Sequence, residues 1–200
     1  IDSGGGEEWV PPRYEIPLLG YHQVINCAVA RVTLAVLQRK FTDITEEAIR
    51  TGFKQVRWPG RFEVRNKDPI IIVDSAHNRD SALRLRIALD DYFPSQNVIL
   101  LFGASADKDI HGMYTDLLPR ISRLIATRAD HPRAADPADL ARMARSFGVH
   151  AEELACVDLA MDRALEMVRP DEIILVAGSI FIAGEVLNYW NQRKPDPVTL

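Results

Sequence analysis

The feature that most constrains this chain is the alternation of short aliphatic runs with segments of helical period. "IIIV" (residues 70–73), "VILLF" (98–102) and "EIILVAG" (172–178) are unbroken apolar stretches of strand length. Such runs suit strands covered on both faces, unlike the in–out alternation of a half-exposed sheet. The pattern predicts strands near 62–66, 70–74, 97–102, 121–127, 154–157 and 172–177. Between them it predicts helices near 78–91, 110–119, 137–147, 159–168 and 179–192. Strand alternating with helix implies an α/β fold with a Rossmann-like, doubly wound, mostly parallel sheet.

The chain ahead of residue 62 reads differently. "WVPPRYEIPLL" is extended, because Pro11, Pro12 and Pro17 exclude a helix. From His22 to Gln38 apolar residues fall at helical spacing (Val24, Ala28, Val32, Ala35, Val36), the pattern of a buried helix. Thr42 or Asp43 is placed to cap a second helix that runs to about Val56. "RWPGRFEV" then interrupts the pattern, since Pro59 and Gly60 break a helix and open a new extended segment. The expected organisation is the end of one domain over 1–57, a hinge at 58–61, a Rossmann-like domain over 62–193 and a loose tail at 194–200. The opening at Ile1 followed by "DSGGG" reads as a fragment of a longer protein.

Composition removes several classes of function. With 47% hydrophobic and 26% charged residues and a formal net charge of −4, the chain lacks the basic footprint of a nucleic-acid or anionic-membrane binder. Cys27 and Cys156 are far apart, in apolar stretches and outside any Cys/His cluster, so neither a disulfide framework nor a zinc site is indicated. No apolar run approaches the roughly 18 residues of a membrane span, and no signal peptide is present, so the default location is the cytoplasm. No GxGxxG follows a strand, no GxxxxGK[ST] loop cradles phosphates, and no GxSxG elbow offers a nucleophile.

In an open parallel sheet, ligands bind beyond the carboxyl ends of the strands. Asp74, Ser75, Ala76, His77 and Asn78 follow "IIIV", and "GASADKD" (103–109) follows "VILLF". "DHPRAADPADL", with His131 and Arg133, follows "RLIATRA", and Gly178 and Ser179 follow "EIILVA". Asp74 and Asn78 read equally well as helix N-caps, while an Asp at a strand end also suits ribose hydroxyls. His77 is either structural or catalytic. Lys108, between acids, is either part of a charged loop or a receptor for an anionic group. Ser179 opens a helix, where a hydroxyl and free N–H groups suit a carboxylate or phosphate, or make a plain turn. Arg61, after "WPG", is either a phosphate clamp aimed across a cleft or a surface partner of Glu63. His22 and Asn26 share one helix face, beside Gln23, as site residues or as a polar cap.

Together, "LLGYHQVINCAVA", "RWPGRFEV", "IIVDSAHNRDSA", "FGASADKD", "HPRAADPADL" and "VAGSIFIAGEV" resemble folylpolyglutamate synthases and bifunctional dihydrofolate synthases in order and rough spacing. These belong to the wider group of Mur-type ATP-dependent amino-acid ligases. The resemblance covers essentially the whole chain, and WPGR combined with D-x-AHN is its specific part. Ser75 stands where that family usually has Gly, and Cys27 where it usually has Ala.

The resemblance implies a three-domain enzyme, of which this chain is the end of the central ATPase domain plus the C-terminal domain. The phosphate-binding loop, Mg²⁺ ligands and modified lysine of that family lie upstream. By the same resemblance Asn26 contacts adenine, Arg61 reaches the ATP phosphates on domain closure and Asp74 holds the ribose. His77 lies between the nucleotide and amino-acid sites, and Lys108 and Ser179 hold the carboxylates of L-glutamate. The implied reaction uses ATP and Mg²⁺ to convert a folate or dihydropteroate carboxylate to an acyl phosphate, which the glutamate amine attacks. It also implies a monomeric parent with no nucleic-acid or membrane partner, and a fragment inactive alone. Two other readings compete: a non-catalytic Rossmann-like nucleotide or metabolite module, and a Mur-type ligase of peptidoglycan precursors.

Overall fold

Six strands form the sheet on which most of the chain is wound. In the computed structural model, which describes residues 13–41 and 43–193, they are β1 (Glu63–Lys67), β2 (Ile70–Val73), β3 (Asn97–Phe102), β4 (Arg123–Ala126), β5 (His150–Glu153) and β6 (Glu172–Ala177). Their spatial order is β1-β2-β6-β3-β4-β5. β1 runs antiparallel to β2, and every other pairing is parallel. The helices are α1 (Tyr21–Gln38), α2 (Glu46–Gln55), α3 (Arg79–Tyr92), α4 (Ile110–Leu117), α5 (Pro137–Ser146), α6 (Val157–Met167) and α7 (Ile180–Arg193). The sheet unit takes in residues 18–23 and 58–193, and a smaller unit takes in 13–17 and 24–57.

The aliphatic runs become the centre of the sheet because both of their faces are covered. Ile71, Val73, Ile99, Leu101, Ile174 and Val176 pack on one side against Val157, Met161, Val186 and Trp190 of α6 and α7. Ile72, Leu100, Leu124 and Leu175 pack on the other side against α3, α4 and α5, through Leu85, Leu89, Met113, Leu117 and Leu140. Each such side chain, taken fully out of water, contributes about 1.5–3 kcal/mol relative to an exposed position. The doubly wound, mostly parallel α/β arrangement is therefore the observed one.

The fifth strand differs from expectation. The apolar pattern points to residues 154–157, whereas β5 is His150–Glu153. This is an edge strand with only Ala151 buried, so it needs no aliphatic run. Its outer acids are held instead by arginines: Glu152 by Arg163 at 2.9 Å and Glu153 by Arg145 at 2.6 Å. Val157, counted as strand, instead opens α6 and enters the core. Cys156 is the exposed N-cap residue of α6 rather than part of an apolar setting, and both cysteines are free thiols.

In the smaller unit, Thr45 caps α2 by accepting a hydrogen bond from the Ala48 N–H at 3.1 Å. Asp43 is therefore not the cap, and Thr42 lies outside the described residues, as do 1–12 and 194–200. The Tyr14 hydroxyl donates to Glu46 at 2.6 Å and its ring meets Phe53 edge-on. Along α1 the apolar positions Val24, Val29, Val32 and Val36 are exposed rather than buried.

Gly178 ends β6 at φ +111° and donates its N–H to the Ala76 carbonyl at 2.9 Å. A Cβ here would lie 2.6 Å from the Gly103 carbonyl oxygen. Gly178→Ala therefore combines left-handed strain with a backbone clash and should lower unfolding free energy by about 2–4 kcal/mol. Urea denaturation measures the change, and a loss below about 1 kcal/mol would contradict this account of the turn.

Candidate functional site

Because β2, β6, β3, β4 and β5 run parallel, their carboxyl ends lie along one edge of the sheet. That edge carries Asp74 to Asn78, the loop from Gly103 to Asp109, the segment from Thr127 to Arg133, and Gly178 with Ser179. The loops after β3 and β4 are joined there by Ala106 N–H to Arg133 carbonyl and Ala135 N–H to Ala104 carbonyl, at 2.8 and 2.9 Å.

Asp74 and Asn78, alike as cap candidates, separate in the structure. Asn78 caps α3: its side-chain oxygen accepts from the Ser81 N–H at 2.8 Å, and Ser81 Oγ accepts from the Asn78 N–H at 3.1 Å. Asp74 caps no helix. Its N–H continues the sheet to the Val176 carbonyl at 2.9 Å. Its Oδ1 accepts from the Ala76 N–H at 2.7 Å and its Oδ2 from the Phe62 N–H at 2.8 Å. Burial pushes the Asp74 carboxyl above its ordinary value; those two N–H groups and the charges of Arg61 and His22 oppose the rise without cancelling it.

His77 is exposed, with Nδ1 3.0 Å from the Ser75 carbonyl. A carbonyl only accepts, so Nδ1 carries the proton and the neutral ring keeps its lone pair on Nε2. His22 is half-buried beside Gln23, at 3.2 Å, and burial lowers its pKa. Asn26 stands on the exposed part of α1, in the smaller unit.

Arg61 does not pair with Glu63. That carboxylate accepts from the Gly60 N–H at 2.8 Å and pairs with Arg65 at 2.9 Å. The Arg61 guanidinium lies 5.9 Å from the ring centre of Trp58, and Arg61 makes no ion pair with a described residue. Lys108 is held by one flanking acid, Asp107, at 3.6 Å; the other, Asp109, caps α4 through the Gly112 N–H at 2.8 Å.

Ser179 is buried, accepts from the Phe181 N–H at 3.1 Å, and lines a shallow recess of about 180 Å³ including its open mouth. Gly103, Ser105, Ala129, His131 and Phe181 also line the recess; Lys108 does not. The His131 ring stacks on Phe181 at 4.0 Å between centroids. The Arg133 N–H donates to His131 Nδ1 at 3.2 Å, which leaves Nε2 as the protonated nitrogen of the neutral ring. Phe181 was not among the sequence candidates; its only signal was its position two residues after Ser179 in a helix opening. Among the described residues no group of three or more His, Cys, Asp or Glu side chains could hold a metal ion, and no helix is long and apolar enough to cross a membrane.

Comparison with known proteins assigns the family. Residues 60–180 match the Mur ligase, glutamate ligase domain, the stretch that holds all six strands and the whole polar edge. The chain belongs to the Mur ligase family. Within it, the relatives are folate enzymes. A probable bifunctional folylpolyglutamate synthase/dihydropteroate synthase of Haloferax volcanii is 37% identical over 88% of this chain and 21% of its own length. The Lacticaseibacillus casei folylpolyglutamate synthase is 32% identical over 86% of this chain and 39% of its own. A Mycobacterium tuberculosis folylpolyglutamate synthase crystallised with ADP and AMPPCP superposes with a TM-score of 0.77 at 30% identity, over 92% of this chain and 42% of that one. The chain thus spans between about a fifth and two fifths of the length of these relatives. As a Mur ligase domain, it corresponds to their C-terminal portion.

The raised Asp74 pKa has a direct consequence. A carboxyl whose folded value lies above its unfolded value favours the fold below the unfolded value, and that contribution is lost as pH rises through the folded value. Asp74 should therefore titrate above its ordinary 3.8 when followed by carbon-13 NMR of its carboxyl. A midpoint at or below 3.8 would show that its two N–H partners outweigh burial.

Proposed function

We propose that this chain is the amino-acid-side part of an ATP-dependent ligase that joins L-glutamate to a folate or dihydropteroate carboxylate, and that it is inactive alone. The observation that carries the reading is the polar edge of the sheet. It combines an arginine unpaired with any described carboxylate, a histidine with a free Nε2, and a recess opening beside a buried serine at a helix start. Solved relatives supply matching chemistry: Escherichia coli FolC is in complex with DHPP and ADP, and a bifunctional folylpolyglutamate synthase/dihydrofolate synthase has Mn, AMPPNP and L-glutamate bound.

In this reading the acceptor carboxylate attacks the γ-phosphorus of ATP, ADP leaves, and an acyl phosphate forms. The glutamate amine then attacks the acyl carbon, and the tetrahedral adduct loses a proton and expels phosphate to leave the amide. Arg61 places a fixed positive charge against phosphoryl oxygens as charge moves onto them. Its planar guanidinium suits that task better than a lysine would. Asp74 uses one lone pair of each oxygen on backbone N–H groups and offers the others to the ribose. Asn26 contacts the adenine. His77, with Nε2 unprotonated in the neutral ring, takes up the amine proton or orients the amine. Ser179 donates to a glutamate carboxylate, and Lys108 supplies the charge for the other. Bound Mg²⁺ would screen the phosphate charge, and no group of three or more His, Cys, Asp or Glu side chains among the described residues could hold it. Residues 58–61 join the smaller unit to the sheet unit and serve as the hinge of closure, which brings the amine in line with the acyl phosphate.

Two measurements test this. In the full-length enzyme, Arg61→Ala should lower kcat about 10²–10³-fold; near-normal turnover would remove Arg61 from the phosphate site. The purified chain by itself should form no glutamate amide from ATP, L-glutamate and a reduced folate. Amide product detected by mass spectrometry would refute the reading of a partial enzyme.

A further inference from the structure

The turn that carries Arg61 is fastened to the sheet by more bonds than a free hinge would have. Gly60 has φ +70° and Phe62, a bulky non-glycine residue, has φ +45°. An aromatic residue held in the left-handed region costs about 1–3 kcal/mol and persists only where its surroundings hold it. Phe62 is held in three ways. Its ring is buried in the core, against Tyr92 and Phe93. Its N–H donates to Asp74 Oδ2 at 2.8 Å. The Gly60 carbonyl, one residue before Arg61, accepts two bonds from Ser75: from its N–H at 2.8 Å and from its hydroxyl at 2.9 Å. Glu63 closes the other side by accepting the Gly60 N–H at 2.8 Å. Arg61 is thus the one residue of the turn whose side chain lies outside this set of bonds, between two residues whose backbones are fixed.

From this we infer that Ser75, together with Asp74, is a positioning residue for Arg61: the pair fastens the Gly60–Phe62 turn to the end of β2, so that Arg61 is presented as a rigid part of the sheet unit. The inference rests on the phosphate reading of Arg61 for its catalytic meaning, but not for its geometry. It also places any joint in the 58–61 segment at Trp58 and Pro59, ahead of the fastened carbonyl. The Ser75 hydroxyl is the side-chain half of this grip. It is buried, and it lies 2.9 Å from where a Cβ on Gly60 would stand, so glycine at 60 lets the two segments close up. A side chain without the hydroxyl keeps the backbone bond and loses half of the grip on the Gly60 carbonyl.

Two measurements on Ser75→Ala test the inference separately from the phosphate reading. In the nitrogen-15-labelled chain, amide exchange at Phe62 and Ser75 should quicken about fivefold or more, the scale of one lost hydrogen bond. Exchange in the middle of β6, at Ile174 and Leu175, should stay unchanged. Unchanged exchange at Phe62, or equal acceleration throughout β6, overturns the fastening role. In the full-length enzyme, Ser75→Ala should lower kcat about fivefold with the glutamate KM unchanged, and should cost less than twofold when Arg61 is already alanine. An equal loss in both backgrounds overturns action through Arg61. If Arg61→Ala itself leaves turnover intact, the phosphate reading fails, and the exchange data still decide whether Ser75 holds the turn.

Discussion

The structure depends on the complete burial of β6, every residue of which, from Glu172 to Ala177, lies inside. A strand enclosed by β2 and β3 at its sides and by helices on both faces has no water for polar side chains. Aliphatic residues fill its middle for that reason, and polar groups collect at its ends. At the amino end, buried Glu172 is tolerated because Arg123 pairs with it and the Arg169 N–H donates to it at 2.9 Å. At the carboxyl end the chain turns through Gly178 into Ser179 and α7. The parallel direction of β2, β3 and β4 repeats this arrangement at neighbouring strands, and a continuous polar edge results.

That edge is an electrostatic device as much as a structural one. Asp74 is buried enough for its pKa to rise, and it stays useful because two backbone N–H groups stand in for the water it has lost. Arg61 is in the opposite situation. Glu63, the acid two residues away, is already engaged by Arg65 and the Gly60 N–H, so the guanidinium rests over an indole ring rather than a carboxylate. A cation held by an aromatic face keeps more of its charge for an arriving anion than one held in an ion pair.

Much of this was legible in the residues. "IIIV", "VILLF" and "EIILVA" suit strands covered on both faces, and their spacing by helical segments implies the parallel sheet. The rule that ligands gather at the carboxyl ends of parallel strands points to the polar edge from the residues alone. The edge strand β5 was not legible, because a strand buried at one residue leaves no aliphatic run and "HAEE" looks like loop. The exposed apolar face of α1 was also misread, since helical spacing reports which residues share a face and not what covers it. The stacking of Phe181 on His131 joins residues 50 apart through two separate strand ends, and no local pattern encodes it.

By itself, the sequence determined the interior strands β2, β3 and β6, the presence of helices between the strands, and which polar residues follow those strands. Hydrophobic period and capping chemistry are local, and Asn78 with Ser81 is a capping box in any fold that starts a helix there. Tertiary structure alone decided how the polar residues divide their labour. Asp74 and Asn78 were equivalent as cap candidates until the Phe62 N–H, 12 residues away in the chain, claimed one oxygen of Asp74. Ser75 was an unexceptional departure in a strand-end motif until the Gly60 carbonyl stood 2.9 Å from its hydroxyl. Hydrogen bonds and burial depend on what the rest of the chain brings near a residue, and that proximity is a property of the packed sheet and not of any stretch of sequence.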